Sequence, residues 1–154
     1  NVKDWELHIY GDVNYEQELL EVTKQYNNIK YFGLQPNSIV VNAQLKASLM
    51  VNPRITNAEY VKYSFPSKTL ECMVSGTPLL TTRLAGMPAD YLPYVYLFEE
   101  ETVSGFVSTL EEVLSKTPEE MHDYGLKAKH YAIANKNNKI QALKFYSFIK
   151  QIVR

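Results

Sequence analysis

The sequence predicts an α/β protein: a parallel, doubly wound sheet with helices gathered towards the C-terminus. Three observations carry that prediction. Short runs of strand-forming residues recur as far as Phe98, and each ends at a Gly, Pro or polar turn. Helical patterns stand between those runs, the alternation that yields crossover connections and parallel strands. Beyond Glu101 no strand-like run remains, only amphipathic segments with helix-start signals.

Taken in order, Trp5-Glu6-Leu7-His8-Ile9-Tyr10-Gly11 alternates apolar and polar residues and closes on a turn, as a half-buried strand does. Residues 15–26 set Leu19, Leu20 and Val22 among charges and predict the first helix. Ile29-Lys30-Tyr31-Phe32-Gly33 is a second strand, and Pro36-Asn37-Ser38 opens a helix that runs to about Ala47. Leu49-Met50-Val51-Asn52-Pro53 is a third strand, followed by a long polar loop over residues 54–65. Pro66-Ser67-Lys68-Thr69-Leu70-Glu71 then starts a short helix that Gly76 stops. Residues 78–82 and 95–98 complete the strands. Helices follow over residues 102–114 and from Thr117-Pro118-Glu119-Glu120, where a cap, a first-position proline and early carboxylates coincide. The last helix, residues 139–152, carries Ile140, Leu143, Phe145, Phe148, Ile149 and Ile152 on more than one face. One of those stripes is expected to pack on the core.

Composition narrows the function classes. A chain of 154 residues is one domain's worth and can bury a proper core. The net charge of −1 gives no general attraction to nucleic acid. No apolar run approaches the roughly 20 residues that span a bilayer. The lone cysteine, Cys72, excludes an internal disulfide and reads as a small packed residue suited to a reducing cytoplasm. His8 reads as a structural strand residue, and His122 and His130 fall on a late helix facing solvent. No histidine pair stands at metal-ligand spacing with a carboxylate, so neither a metal nor a cofactor is expected. Gly11-Asp12 is not a G-x-G-x-x-G turn, which argues against a dinucleotide redox enzyme.

The chemistry concentrates at Tyr63-Ser64-Phe65-Pro66-Ser67-Lys68-Thr69-Leu70-Glu71. A helix N-terminus already carries about half a positive charge, so a lysine there is locally unfavourable. An anion opposite the unpaired backbone N–H groups, most simply a phosphate, reverses that sign. Glu71, about one turn on, offers a carboxylate to sugar hydroxyls. The plainer reading of Lys68 and Glu71 is a helix ion pair, with a stabilisation of only ~0.2–0.5 kcal/mol. Arg54 and Arg83 are further candidate phosphate partners, and Gly86 a turn or a point of close backbone approach. In an open parallel sheet, ligands bind beyond the carboxyl ends of the strands. The loops after Tyr10, Phe32, Val51 and Thr82 are therefore expected to share one rim with this helix start.

Five segments in order carry a family resemblance: the strand ending in Gly11, Ile29-x-Tyr31-Phe32-Gly33, Ala47-Ser48-Leu49-Met50-Val51-Asn52-Pro53, Pro66-Ser67-Lys68-x-Leu70-Glu71-x-Met73-x-Ser75-Gly76-x-Pro78, and Ala85-Gly86-Met87-Pro88. Together they resemble the C-terminal, donor-binding domain of GT-B glycosyltransferases, closest to family 4, also called group 1. The resemblance implies a Rossmann-like domain over residues 1–154, lacking its first strand and the N-terminal acceptor domain. It implies a hexosyltransferase-type enzyme of surface-polysaccharide synthesis. Such an enzyme moves a sugar from a UDP- or GDP-linked donor to a glycan or lipid-linked acceptor, with retention of configuration. Donor contacts would fall to Glu71 at the ribose, Ser67 and Lys68 at the diphosphate, Ser64 and Tyr63 beside the sugar, and Gly33 beside the base. The implied location is the cytoplasm, at the inner face of the membrane for the full-length protein. The fragment alone should be nearly inactive, and no catalytic residue is assigned within it. Two features depart from the family pattern. Tyr63 stands where the first glutamate of the family's Glu-x7-Glu pair is expected, and the basic residues that usually clamp the diphosphate are missing. Two other readings stay open: a nucleotide-sugar 2-epimerase of the same architecture, and a non-catalytic flavodoxin-like interaction module.

Overall fold

The computed structural model describes residues 5–57, 59–63 and 67–153. They divide into two compact units, residues 1–46 and 47–154, each with its own parallel sheet.

In the first unit, β1 (Leu7–Ile9) and β2 (Ile29–Tyr31) pair in parallel, Leu7 opposite Ile29 and Ile9 opposite Tyr31. The crossover is α1 (Glu16–Gln25), with glutamates in its first turn and Lys24 in its last, the arrangement the helix dipole favours. Helix α2 (Asn37–Lys46) follows. Both strands end at glycines with left-handed backbone, Gly11 and Gly33, and the Gly11 N–H donates to the Gly33 carbonyl at 2.8 Å.

The second unit holds β3 (Met50–Asn52), β4 (Leu79–Thr81) and β5 (Tyr96–Leu97), parallel and in sequential order. Strand β4 is central and wholly buried. Helix α3 (Ser67–Ser75) joins β3 to β4, turning Thr69, Cys72 and Met73 inward at the i, i+3, i+4 spacing of one helix face. Helices α4 (Val103–Leu114), α5 (Pro118–Asn135) and α6 (Asn138–Ile152) complete it. One core cluster joins Met73, Leu79, Leu84, Tyr91 and Ala128, and a second joins Leu80, Phe98, Val113 and Met121. The cap read at Thr117 is present and forms a full capping box: its hydroxyl accepts from the Glu120 N–H, and the Glu120 carboxylate accepts from the Thr117 N–H.

The α3–β4 turn fixes the back of the unit. Gly76 has φ +84°, the left-handed conformation that ends α3. Gly125 of α5 lies against it so closely that a Cβ there would stand 2.1 Å from the Gly76 carbonyl oxygen. Helix α5 thus meets the turn backbone to backbone.

Three expectations need correction. Parallel strands are present as expected, but they form a two-stranded and a three-stranded sheet. The loop over residues 54–65 contains a 3₁₀ turn, Glu59–Tyr63, because Val61 is drawn into the core. Helix α6 contributes no stripe to the core. None of its residues is buried, and Leu143, Phe145, Phe148, Ile149 and Ile152 are exposed. What holds α6 is its start: the Asn137 side chain accepts from the Ile140 N–H, and the Gln141 side chain donates to the Asn135 carbonyl.

Candidate functional site

The carboxyl ends of β3 and β4 lie side by side, since Asn52 is in register with Thr81. Their loops are tied there. The Arg54 N–H donates to the Thr82 hydroxyl at 2.8 Å, and the Thr81 hydroxyl donates to the Asn52 carbonyl at 3.1 Å. A helix that links two parallel strands runs back against them, so α3 begins at this same edge. The adjacent 3₁₀ turn is anchored by Val61, only 2% exposed, a role no sequence signal marked.

The start of α3 differs from every other helix start in this unit. Thr102, Thr117 and Asn137 cap α4, α5 and α6 through their side-chain oxygens. The residue before α3 is Pro66, which has no such oxygen, and the first turn of α3 has no acidic residue. The positive end of the helix dipole therefore meets no carboxylate of its own turn, and Lys68 adds to it. Ser67, Lys68 and Glu71 are all exposed. Among the described residues, no hydrogen bond or ion pair engages their side chains. The i, i+3 ion pair between Lys68 and Glu71 is not formed, so both charges are available to a ligand. Tyr63 is 85% exposed and likewise unengaged. Ser64 lies outside the described residues.

Behind this surface Cys72 is packed in the core cluster. Burial, and secondly the Glu71 charge, push its thiol up to about 11, which leaves it inert as a nucleophile near neutral pH. Arg83 is exposed and Arg54 half-buried; the structure records only the backbone contact of Arg54. An open groove along α6, lined by Ile140, Leu143, Lys144, Ser147, Phe148 and Gln151, contains none of these residues.

In the first unit Gly33 has φ +62° and ends β2, with the Tyr31 hydroxyl donating to the Gly11 carbonyl at 3.0 Å. Phe32 stacks on Tyr10, ring centroids 4.8 Å apart, with His8 edge-on to Phe32. His8 also bonds to Glu6, and Lys30 of β2 reaches the same carboxylate, so the tie across the strand pair is Glu6–Lys30 with His8 beside it. His122 and His130 are exposed on α5, as expected.

The family model for glycosyl transferases of group 1 matches residues 1–116, from the chain start to just beyond α4. The chain belongs to that family. The match takes in all five strands and α3 with its flanking turns, whereas α5 and α6 lie outside it. No curated protein matches the chain. As a group 1 glycosyl transferase it has a sugar donor and an acceptor as substrates, on an α/β, Rossmann-like fold. Among the described residues, no helix of this transferase is long and apolar enough to cross a membrane.

Proposed function

We propose that the start of α3 is the donor grip of this glycosyl transferase. The N–H groups of the first turn and Lys68 hold the diphosphate of a UDP- or GDP-linked sugar, and Glu71 accepts hydrogen bonds from the ribose hydroxyls. The observation that carries this reading is a helix start with no acidic residue in its first turn, where Lys68 and Glu71 are exposed and, among the described residues, unpaired. An anion at a helix N-terminus gains about 0.3–1 kcal/mol when exposed and up to ~2 when partly buried. Ser67 supplies a further hydroxyl, while Tyr63 and Ser64 border the sugar.

Transfer then rests on positioning the donor and stabilising the departing diphosphate, so the electrostatic burden falls on α3 and Lys68. The sugar moves to an acceptor hydroxyl with retention, in surface-polysaccharide assembly at the inner face of the membrane. The acceptor, a glycan or a lipid-linked one, is held by a domain outside these residues. With no carboxylate at position 63, Tyr63 faces the sugar with its phenol. Calorimetric titration with UDP, GDP and ADP tests the grip. Binding of UDP or GDP, weakened tenfold or more by Lys68→Ala, supports it. Equal affinity in the wild type and Lys68→Ala overturns the diphosphate assignment.

A further inference from the structure

Helix α6 stands clear of the core. From Gln141 to Val153 every residue is exposed. Phe145, Phe148, Ile149 and Ile152 fall at i, i+3, i+4 and i+7, so they share one face, and each is between 41% and 65% exposed. A helix of this length is marginal in water by itself, so such a face needs a surface to lie on.

The charge of the helix selects that surface. All 17 acidic residues of the chain lie at or before Asp123. Helix α6 carries Lys139, Lys144 and Lys150 with no carboxylate side chain, and among the described residues no ion pair neutralises them. At 3.6 residues per turn, Lys144 flanks the apolar stripe on one side, and Lys139 and Lys150 lie round the other. The Lys150 ammonium stands 4.8 Å over the Tyr146 ring, which borders the stripe with a phenol suited to the water boundary. Two copies joined by this face would set lysines near lysines with no carboxylate to offset them, which disfavours a self-association. An anionic bilayer meets both demands, since its acyl region takes the rings and its phosphates take the cations.

We propose that α6 docks the transferase on an anionic lipid surface. The helix lies along the membrane, with Phe145, Phe148, Ile149 and Ile152 in the boundary between headgroups and acyl chains and the three lysines at the lipid phosphates. The inference rests on the membrane placement proposed above and is independent of the donor grip at α3.

Co-sedimentation of the full chain with sucrose-loaded vesicles tests it, comparing pure phosphatidylcholine with a mixture of phosphatidylcholine and phosphatidylglycerol at roughly 2:1. The wild type is expected to bind the mixed vesicles at least about tenfold more tightly than the neutral ones, with the preference reduced by salt. Each lysine near an anionic surface strengthens binding about fivefold, so changing Lys139, Lys144 and Lys150 together to Gln should weaken it about a hundredfold. Changing the same three to Arg should keep it within about threefold of wild type. Phe145→Glu combined with Ile149→Glu should weaken binding to both vesicle types. None of these residues is buried, so thermal melts and UDP or GDP titrations of every variant are expected to match wild type. Mixed-vesicle binding that survives in both the glutamine and the glutamate variants overturns the inference and leaves the membrane placement to another surface. Wild-type binding without preference for phosphatidylglycerol overturns it as well. If the wild type binds neither vesicle, the membrane placement fails too, and the face of α6 belongs to a protein partner.

Discussion

Gly125→Ala is the sharpest perturbation of the fold that supports the site. The added Cβ would stand 2.1 Å from the Gly76 carbonyl oxygen, 2.9 Å from the Gly76 carbonyl carbon and 3.0 Å from the Pro78 nitrogen. Even close C–H···O contacts need about 3.3 Å, so α5 must retreat by roughly 1.2 Å. All three obstructing atoms are backbone, in a turn whose left-handed Gly76 has little freedom to yield. Overpacking of this kind costs about 1–3 kcal/mol, and backbone obstruction puts it at the upper end. Alanine's better helix propensity offsets about 0.8–1.0 kcal/mol of that. The net loss is about 2 kcal/mol, a drop in melting temperature of about 4–8 °C for a chain of this size. Circular dichroism melts and urea midpoints measure it, with Lys127→Ala on the exposed face of α5 as a control expected within about 0.5 kcal/mol of wild type. A Gly125→Ala variant as stable as wild type would refute the close approach of α5 to the turn.

Two further outcomes follow from titrating groups. The Asp90 carboxyl is held below its ordinary value by the bond from Lys136 at 2.7 Å and then by that from the Tyr131 hydroxyl. A lowered carboxylate pKa stabilises above the unfolded value, near 4, and that stability is lost as pH falls through the folded value. Asp90 is half exposed and screened, so Asp90→Asn should lose on the order of 0.2–1 kcal/mol at pH 7. The gap should close in paired melts as pH falls below the unfolded value and through the folded one; a gap independent of pH would contradict the assignment. Cys72, with its thiol at about 11, should react with iodoacetamide at pH 8 about two hundredfold more slowly when native than in urea. Comparable rates would show the thiol to be accessible.

What the sequence revealed was local. The helix start at Thr117-Pro118 and the Gly76 stop follow from chemistry within one turn, and each stands where the sequence put it. Strand existence follows from alternation, but strand pairing is non-local, so the division into two sheets carried no sequence signal. The 3₁₀ turns at Glu59–Tyr63 and Ala89–Tyr94 depend on Val61 and Tyr91 finding the core, which no periodicity encodes. The apolar residues of α6 led to the expectation of one stripe packed on the core, and none of them is buried, because spacing marks an apolar face without specifying what covers it. At the site, the charges of Lys68 and Glu71 were legible. Their lack of pairing was not.

The donor reading turns on Glu71 recognising ribose. The most direct test compares UDP and GDP with their 2′,3′-dideoxy forms, titrated calorimetrically into wild type and Glu71→Ala. Hydrogen bonds to a charged acceptor predict that the better wild-type nucleotide loses roughly tenfold or more when its ribose hydroxyls are removed. Glu71→Ala should bind both forms equally weakly, so that the two changes are not additive. If Glu71→Ala still prefers the intact ribose as strongly as wild type does, Glu71 is not the ribose ligand and the account of this site is wrong.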